Sequence, residues 1–549
     1  MFLKGNIDDV PIPLFSDKTP PGTVLVALSA PLYGKEPTMP STVLSAATLG
    51  IDAYPVHVEV DTDRSLPTFT VVGLPDSAVR ESKERVLAAL RNSGFQWPRK
   101  RVTVNLAPAD RRKEGSAFDL PIALGILIAS QQIRPARLSD FAFLGELSLD
   151  GTIRPIHGAL SMALGLRQRD VYGLVVPADN AREAATAGRP LVYGAGTLHE
   201  AVEILEGSAR LRPYELDLET VFAEQTAGDI DLCQVKGQAH AKRALEIAAA
   251  GNHNLSFVGT PGSGKTLLAR CLPTILPDFT LDEALDTTQI HSVAGVLPPG
   301  KALVAARPFR APHHTISSAG LIGGGTYPRP GEVSLAHHGV LFLDELPEFR
   351  KDVIEALRQP LEDRSVTIAR AHLSLSYPAR FMLLAAMNPC PCGYLGDARD
   401  RCHCTAAHIR RYRTRLSGPL LDRFDLHVEM PALDYADLRD GAQGESSEHV
   451  RERVNATRQL QRKRFAEETI YCNAHMGPRH LEAHCRLCRE SESLLATAVE
   501  RLGLSARAYD RVRKVARTIA DVEQTADIAP QHLAEAIQYR SMDRTSALS

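Results

Sequence analysis

Gly259-Thr260-Pro261-Gly262-Ser263-Gly264-Lys265-Thr266 follows an apolar run, Leu255 to Val258, and precedes a helical pattern that begins Leu267-Leu268-Ala269. Strand, glycine-rich turn and helix form the arrangement in which backbone N–H groups close around phosphates at a helix N-terminus. Every fixed position of G-x-x-x-x-G-K-T is filled, so Gly259 to Thr266 are expected to hold a nucleoside triphosphate. Lys265 would reach the terminal phosphates and Thr266 would offer its hydroxyl to Mg²⁺. A loop of this kind sits at the carboxyl edge of a parallel sheet, so the surrounding fold is expected to be an α/β core.

Working outward, Val340-Leu341-Phe342-Leu343-Asp344-Glu345 is a buried-strand pattern that ends in two acids. Asp344 is expected to hold Mg²⁺ through water. Glu345 would orient and polarise the attacking water, because phosphoryl transfer depends on positioning and charge stabilisation. The adjacent pair favours hydrolysis over binding alone. A further buried strand, Phe381 to Met387, ends at Asn388.

The chain has 549 residues, 44% hydrophobic and 23% charged, with a net charge of −2. The length suits roughly three to five domains. No global basic field points to nucleic acid, so any such contact must come from local patches. The longest apolar run, near Pro121 to Ala129, is far below the roughly 20 residues a membrane helix needs. With no charged-then-apolar leader, a cytoplasmic location without membrane contact is expected. Nine cysteines, mostly clustered, fit thiols or metal ligands in a reducing compartment better than disulfides.

Residues 1–38 are rich in Pro, Gly, Ser and Thr and are expected to be a disordered extension or a misassigned start. Residues 39–207 alternate short strands (Val56 to Val60, Thr68 to Val72, Val102 to Leu106, Leu174 to Val176) with helices such as Ser77 to Ser93 and Leu120 to Ser130, a mixed α/β domain. Residues 208–234 read as a linker. Residues 235–440 read as the nucleotide-binding core, with two inserts. About 85 positions separate Gly259 from Asp344, more than one helix and two strands require, which places a loop-like insert over Ile290 to Gly331. A hairpin, Val366 to Ile368 with Leu373 to Tyr377, is the second. Residues 441–549 read as an all-helical lid.

Cys390, Cys392, Cys402 and Cys404 form C-x-C, nine intervening residues, C-x-C. Four thiolates on two short knuckles can close a tetrahedral Zn²⁺ site, structural because no position is left open. Cys472, Cys485 and Cys488 with His475, His480 or His484 form a looser set, expected to be helix residues without metal.

Taken in order, Gly259 to Thr266, Asp344-Glu345, Asn388, Leu420-Leu421-Asp422-Arg423-Phe424-Asp425 and Leu504-Ser505-Ala506-Arg507 resemble an AAA+ ATPase of the magnesium-chelatase-like group. Gly73-Leu74-Pro75-Asp76, Pro312-His313-His314-Thr315, Asn388-Pro389-Cys390-Pro391-Cys392-Gly393 and Ala516-Arg517-Thr518-Ile519-Ala520-Asp521 narrow the resemblance to the YifB/ComM family, from about Met39 onward. The resemblance implies ATP with Mg²⁺, Asn388 as the first sensor and Arg423 as an arginine finger offered to a neighbouring subunit. It also implies Arg507 as the second sensor of the lid, and a ring, usually a hexamer. For the ComM branch it implies a motor that moves branched junctions while transforming DNA is integrated, so branched or single-stranded DNA is the expected partner. Arg307, Arg310 and Arg329 in the first insert, with Arg364, Arg370 and Arg380 flanking the hairpin, are the cations available for phosphate contacts.

Residues 39–207 resemble the Lon protease catalytic domain, an S5-like fold, through Lys113-Glu114-Gly115-Ser116-Ala117 and Gly145-Glu146-Leu147-Ser148. A peptidase of that type needs a serine with a lysine beside it as base. Here Ala117 stands where the serine is required and Leu160 falls near the lysine position, so a non-proteolytic domain is expected. Two alternatives stay open: an ATPase subunit that remodels a metal-insertion partner, and an ATP-dependent protease, which the missing dyad disfavours.

Overall fold

A computed structural model describes residues 40–135, 137–207, 212–223, 230–325, 327–370, 373–396, 401–432, 444–468 and 470–540. The expected extension over 1–38 lies outside the described residues, as do parts of the expected linker and the 440/441 boundary.

The N-terminal part is built on β1 (Ser41–Leu49), β2 (Asp52–Asp63), β3 (Phe69–Val72), β4 (Arg101–Ala107), β5 (Phe141–Phe143), the short hairpin β6 (Glu146–Leu147) with β7 (Ile153–Arg154), β8 (Gly173–Pro177) and β9 (Leu191–Ala195). All but the hairpin form a seven-stranded sheet in the order β3-β4-β2-β1-β5-β8-β9. β2 alternates almost strictly between covered and open positions from Tyr54 to Asp63, which fits a sheet with one buried face. The apolar helix Asp119–Ala129 covers that face, and the expected helix from Ser77 is two, Ser77–Arg80 and Ser82–Asn92.

The second sheet contains β10 (Leu255–Gly259), β11 (Phe309–Arg310), β14 (Val340–Leu343), β17 (Met382–Met387) and β18 (Leu426–Met430); β12 (Gly323–Gly324) pairs with β13 (Arg329–Pro330), and β15 (Ser365–Arg370) with β16 (Leu373–Pro378). Its order is β11-β14-β17-β10-β18, every neighbouring pair parallel. β10 and β14 are buried at every residue, as strands covered by helices on both faces must be. β17 lies between β10 and β14, so its end falls between the glycine-rich loop and the two acids.

The hairpin β15–β16 matches the expected second insert. The first insert is mostly loop and turn between short elements. Ile290 lies inside the helix Leu281–Ala294, and Ser318–Ile322 is a short helix leading into β12. The linker region also packs: Val221, on the helix Leu218–Ala223, is buried beside Ala284, Ala302 and Leu303.

The C-terminal region is helical: Ser447–Arg464, Pro478–His484, Arg489–Leu502, Ala506–Val522 and Pro530–Gln538. Val515 and Ile519 share a core with Ala244, Leu245 and the edge strand β18. The backbone N–H of His427 in β18 donates to the Tyr539 carbonyl at 2.9 Å, which ties the last helix to that edge. The N-terminal sheet is fastened to the core through the helix Leu281–Ala294, where Ser292 Oγ accepts the Gly158 N–H at 2.9 Å. No helix among the described residues is long and apolar enough to cross a membrane.

Candidate nucleotide site

The glycine-rich loop leaves β10 at its carboxyl end and feeds the helix Lys265–Ile275. A Cβ at Gly259 would lie 2.4 Å from the Met430 carbonyl oxygen, so only glycine lets the loop start beside the end of β18. Gly262 and Gly264 are glycines for a different reason: their φ values of 81° and 90° are left-handed. Lys265 Nζ donates to the carbonyls of Gly259 at 2.7 Å and Thr260 at 2.8 Å, and to Asn388 Oδ1 at 3.3 Å. Burial lowers the pKa of this amine, and the charges of Asp344 and Glu345 oppose that shift.

Asp344 follows β14, and Thr266 Oγ1 donates to Asp344 Oδ2 at 2.8 Å. A hydroxyl and a carboxylate oxygen so close are the hard oxygen donors that Mg²⁺ takes beside phosphate. Glu345 turns sharply, at φ 53° and ψ 46°, and its N–H donates to Asp344 Oδ1 at 3.0 Å. Asp344 is thereby held inward, while the Glu345 side chain stays 59% exposed, open to water and to a substrate.

His314 Nδ1 stands 3.9 Å from Glu345 Oε2. Sequence reasoning did not place this residue in the site, yet the register carries the signal. Arg310 pairs with Leu341 across β11 and β14, and His314 and Glu345 each lie four residues further along these parallel strands. Gln238 is a second omission: its side-chain amide donates to the carbonyls of Ser263, at 3.3 Å, and Pro431, at 2.8 Å.

Beyond Asn388 the chain enters the cysteine loop. The sulfurs of Cys390 and Cys392 are 3.3 Å apart, Cys390 and Cys402 3.8 Å, and Cys392 and Cys402 3.7 Å. All four sulfurs, Cys404 included, lie within 4.8 Å of one another. Cys472, Cys485 and Cys488 form no such group among the described residues; Cys485 contacts Met476 instead.

Arg423 and Arg507 are brought together, away from Lys265. Both line a cavity of about 210 Å³ with Arg364, Arg380, Arg511 and Lys514, opposed by Glu362, Asp422 and Asp425. Asn254, just before β10, also lines it, so the cavity lies at the amino end of the strand whose carboxyl end carries the loop. Five residues at ~3.3 Å each separate the two ends by about 17 Å. A second sensor over this chain's own nucleotide would require Arg507 at the other end of the sheet.

Arg423 bonds to the Glu362 carboxylate and the Pro419 carbonyl, rather than to Asp422 or Asp425. Its Nε is buried without a hydrogen-bond partner, and burial lowers its pKa. Asp425 is committed elsewhere, accepting the Asn254 N–H at 3.0 Å and lying 3.5 Å from Arg511.

The expected phosphate-binding cations also divide. Arg307 is held by the carbonyls of Pro277 and His338 and by Glu283 at 2.8 Å, and Arg310 is forked onto Glu332 at 2.6 and 2.8 Å. These two brace the insert. Arg329 and Arg370 are exposed on the adjacent hairpins β12–β13 and β15–β16, with Arg370 Nε donating to Gly325 O at 3.1 Å. In the N-terminal part, Ser116 Oγ donates to Glu146 while Lys113 Nζ donates to the Pro108 and Arg111 carbonyls. Serine and lysine therefore have separate partners, and Leu160 is buried in a helix.

The chain matches three family profiles in succession: "Subunit ChlI of Mg-chelatase" over residues 58–180, "Magnesium chelatase, subunit ChlI" over 231–438, and "Magnesium chelatase, subunit ChlI C-terminal" over 444–540. It is 46% identical over 506 residues to the competence protein ComM of Haemophilus influenzae, covering 91% of this chain and 97% of that protein. It is 43% identical over 506 residues to YifB of Escherichia coli, covering 92% and 97%.

Proposed function

The chain belongs to the YifB/ComM family of magnesium-chelatase-like AAA+ proteins, and from that premise we propose that it is an ATP-hydrolysing DNA motor that works as a ring. The observation that carries the ATPase reading is the convergence of Lys265, Thr266, Asp344 and Asn388 at one edge of the five-stranded sheet, joined by hydrogen bonds of 2.8 and 3.3 Å. Gly259 to Thr266 enclose the phosphates, Thr266 and Asp344 hold Mg²⁺, and Glu345 polarises the attacking water. Asn388 helps to place that water, and a structural Zn²⁺ on Cys390, Cys392, Cys402 and Cys404 belongs to the same reading.

Arg423 and Arg507 cannot serve this chain's own nucleotide from the opposite end of the sheet, so they act on the nucleotide of an adjacent copy. That requirement supports a closed assembly, a hexamer in this family reading, in which each nucleotide lies between two copies. The DNA part of the reading rests on the competence protein among the relatives and on the exposed Arg329 and Arg370. Cations on two adjacent hairpins suit phosphate contacts that read no sequence.

The test is a synthetic four-way DNA junction incubated with the full chain and either ATP or a non-hydrolysable analogue. The junction should be resolved into duplexes with ATP only, and branched DNA should stimulate hydrolysis. Absence of DNA binding and of stimulation contradicts the motor reading. ATPase activity that depends instead on a metal-insertion partner protein would favour the chelatase-type alternative, which the family profiles keep in view.

A further inference from the structure

We infer that the four-cysteine knuckle is a Zn²⁺-dependent brace of the phosphate loop, so that metal and nucleotide bind cooperatively; this rests on the nucleotide reading of Gly259 to Thr266. The geometry of the sulfurs comes first. Bonds of ~2.3 Å to a central Zn²⁺ place tetrahedral thiolates about 3.8 Å apart. Two of the sulfur separations are 3.8 and 3.7 Å, and the third, 3.3 Å, is within half an ångström of that edge.

The knuckle touches the nucleotide site in three places. Cys390 is two residues beyond Asn388, and Pro389 and Pro391 fix φ on either side of it, so the strand end and the first metal ligand share almost no slack. Gly393 packs on the phosphate loop itself: a Cβ there would stand 2.7 Å from both Cδ and Cγ of Pro261, and its φ of 85° is left-handed. Beyond Cys404, Thr405 caps the helix Ala406–Arg413 by accepting the His408 N–H at 3.3 Å. The buried Tyr412 of that helix returns beside the Asn388 backbone.

Strand end, phosphate loop and returning helix therefore meet around one group of four sulfurs. Closing the sulfurs on a metal ties the two C-x-C pairs to one another and fixes the surface against which Pro261 rests. If metal favours the nucleotide-binding shape of the loop, bound nucleotide must favour the metal by the same factor.

The test uses the full chain purified with reductant and without chelator. Elemental analysis should find about one Zn²⁺ per chain, and almost none in the Cys402→Ser, Cys404→Ser double variant. Stripping the metal should weaken binding of a fluorescent ATP analogue about tenfold, and added Zn²⁺ should restore it. Gly393→Ala separates the steps: it keeps every sulfur, so zinc content should stay native while nucleotide affinity falls. A native protein without zinc overturns the site. Unchanged nucleotide affinity in a stripped protein that still melts cooperatively, or in zinc-loaded Gly393→Ala, overturns the coupling. If neither form binds the analogue, the nucleotide reading fails and the coupling with it, whatever the zinc content.

Discussion

The two ends of the five-stranded sheet carry the two halves of the proposed chemistry. The carboxyl end offers a loop of N–H groups, a lysine and two carboxylates, the groups that the proposed ATPase uses to bind a triphosphate and Mg²⁺ and to activate water. The amino end offers Arg364, Arg380, Arg423, Arg507, Arg511 and Lys514 around a cavity, with Glu362, Asp422 and Asp425 opposing them. Charge that develops on a transferred phosphoryl group needs cations beside it, yet these lie a strand length away. In the proposed ring, a single chain holds both halves and two copies stacked end to face join them.

Each substitution below breaks or sharpens that division of labour. The largest effect is expected for Arg423→Ala at the amino end, about 10³-fold in kcat, with nucleotide binding to the isolated chain unchanged. Loss of binding together with turnover would mean that Arg423 supports its own loop. At the carboxyl end, Glu345→Gln should lower turnover by about 10²-fold or more while the ATP analogue still binds, because the amide cannot take a proton from water. Equal turnover in that variant would remove Glu345 from the chemistry. The smallest effect is expected for Glu362→Gln. Glu362 is 55% exposed and occupies the guanidinium of Arg423, so releasing it should leave kcat within about threefold of native. A loss as large as that of Arg423→Ala would make the ion pair, not the free guanidinium, the working unit.

The carboxyl end was legible in the sequence because its parts are local. Gly259 to Thr266 and Asp344-Glu345 each lie on one strand and the turn after it, and short-range backbone geometry dictates their residue types. Asn388 was legible because a strand pattern ends there, although only the sheet order shows why it meets Lys265: β17 is the strand between β10 and β14.

The amino end was less legible. Arg423 and Arg507 are 84 positions apart, and their meeting depends on how the helix Ala506–Val522 packs on the core. Arginine composition suggested phosphate contacts for Arg307 and Arg310, but their carboxylate and carbonyl partners lie on other elements, which no local pattern reveals. His314 falls between these cases, since its place beside Glu345 follows from the β11–β14 register once that pairing is known. The loop-like composition of the first insert gave no sign of its close approaches, as at Gly331, where a Cβ would stand 2.4 Å from the Gly323 nitrogen.

The shared site is tested most directly by mixing two inactive variants. Arg423→Ala keeps an intact carboxyl end, and Glu345→Gln keeps an intact amino end. In an equal mixture that has exchanged subunits, about one junction in four brings the intact ends together, so turnover should return to about a quarter of native. Turnover no higher than the sum of the two variants alone, in assemblies shown to have mixed, would contradict a site built from two copies.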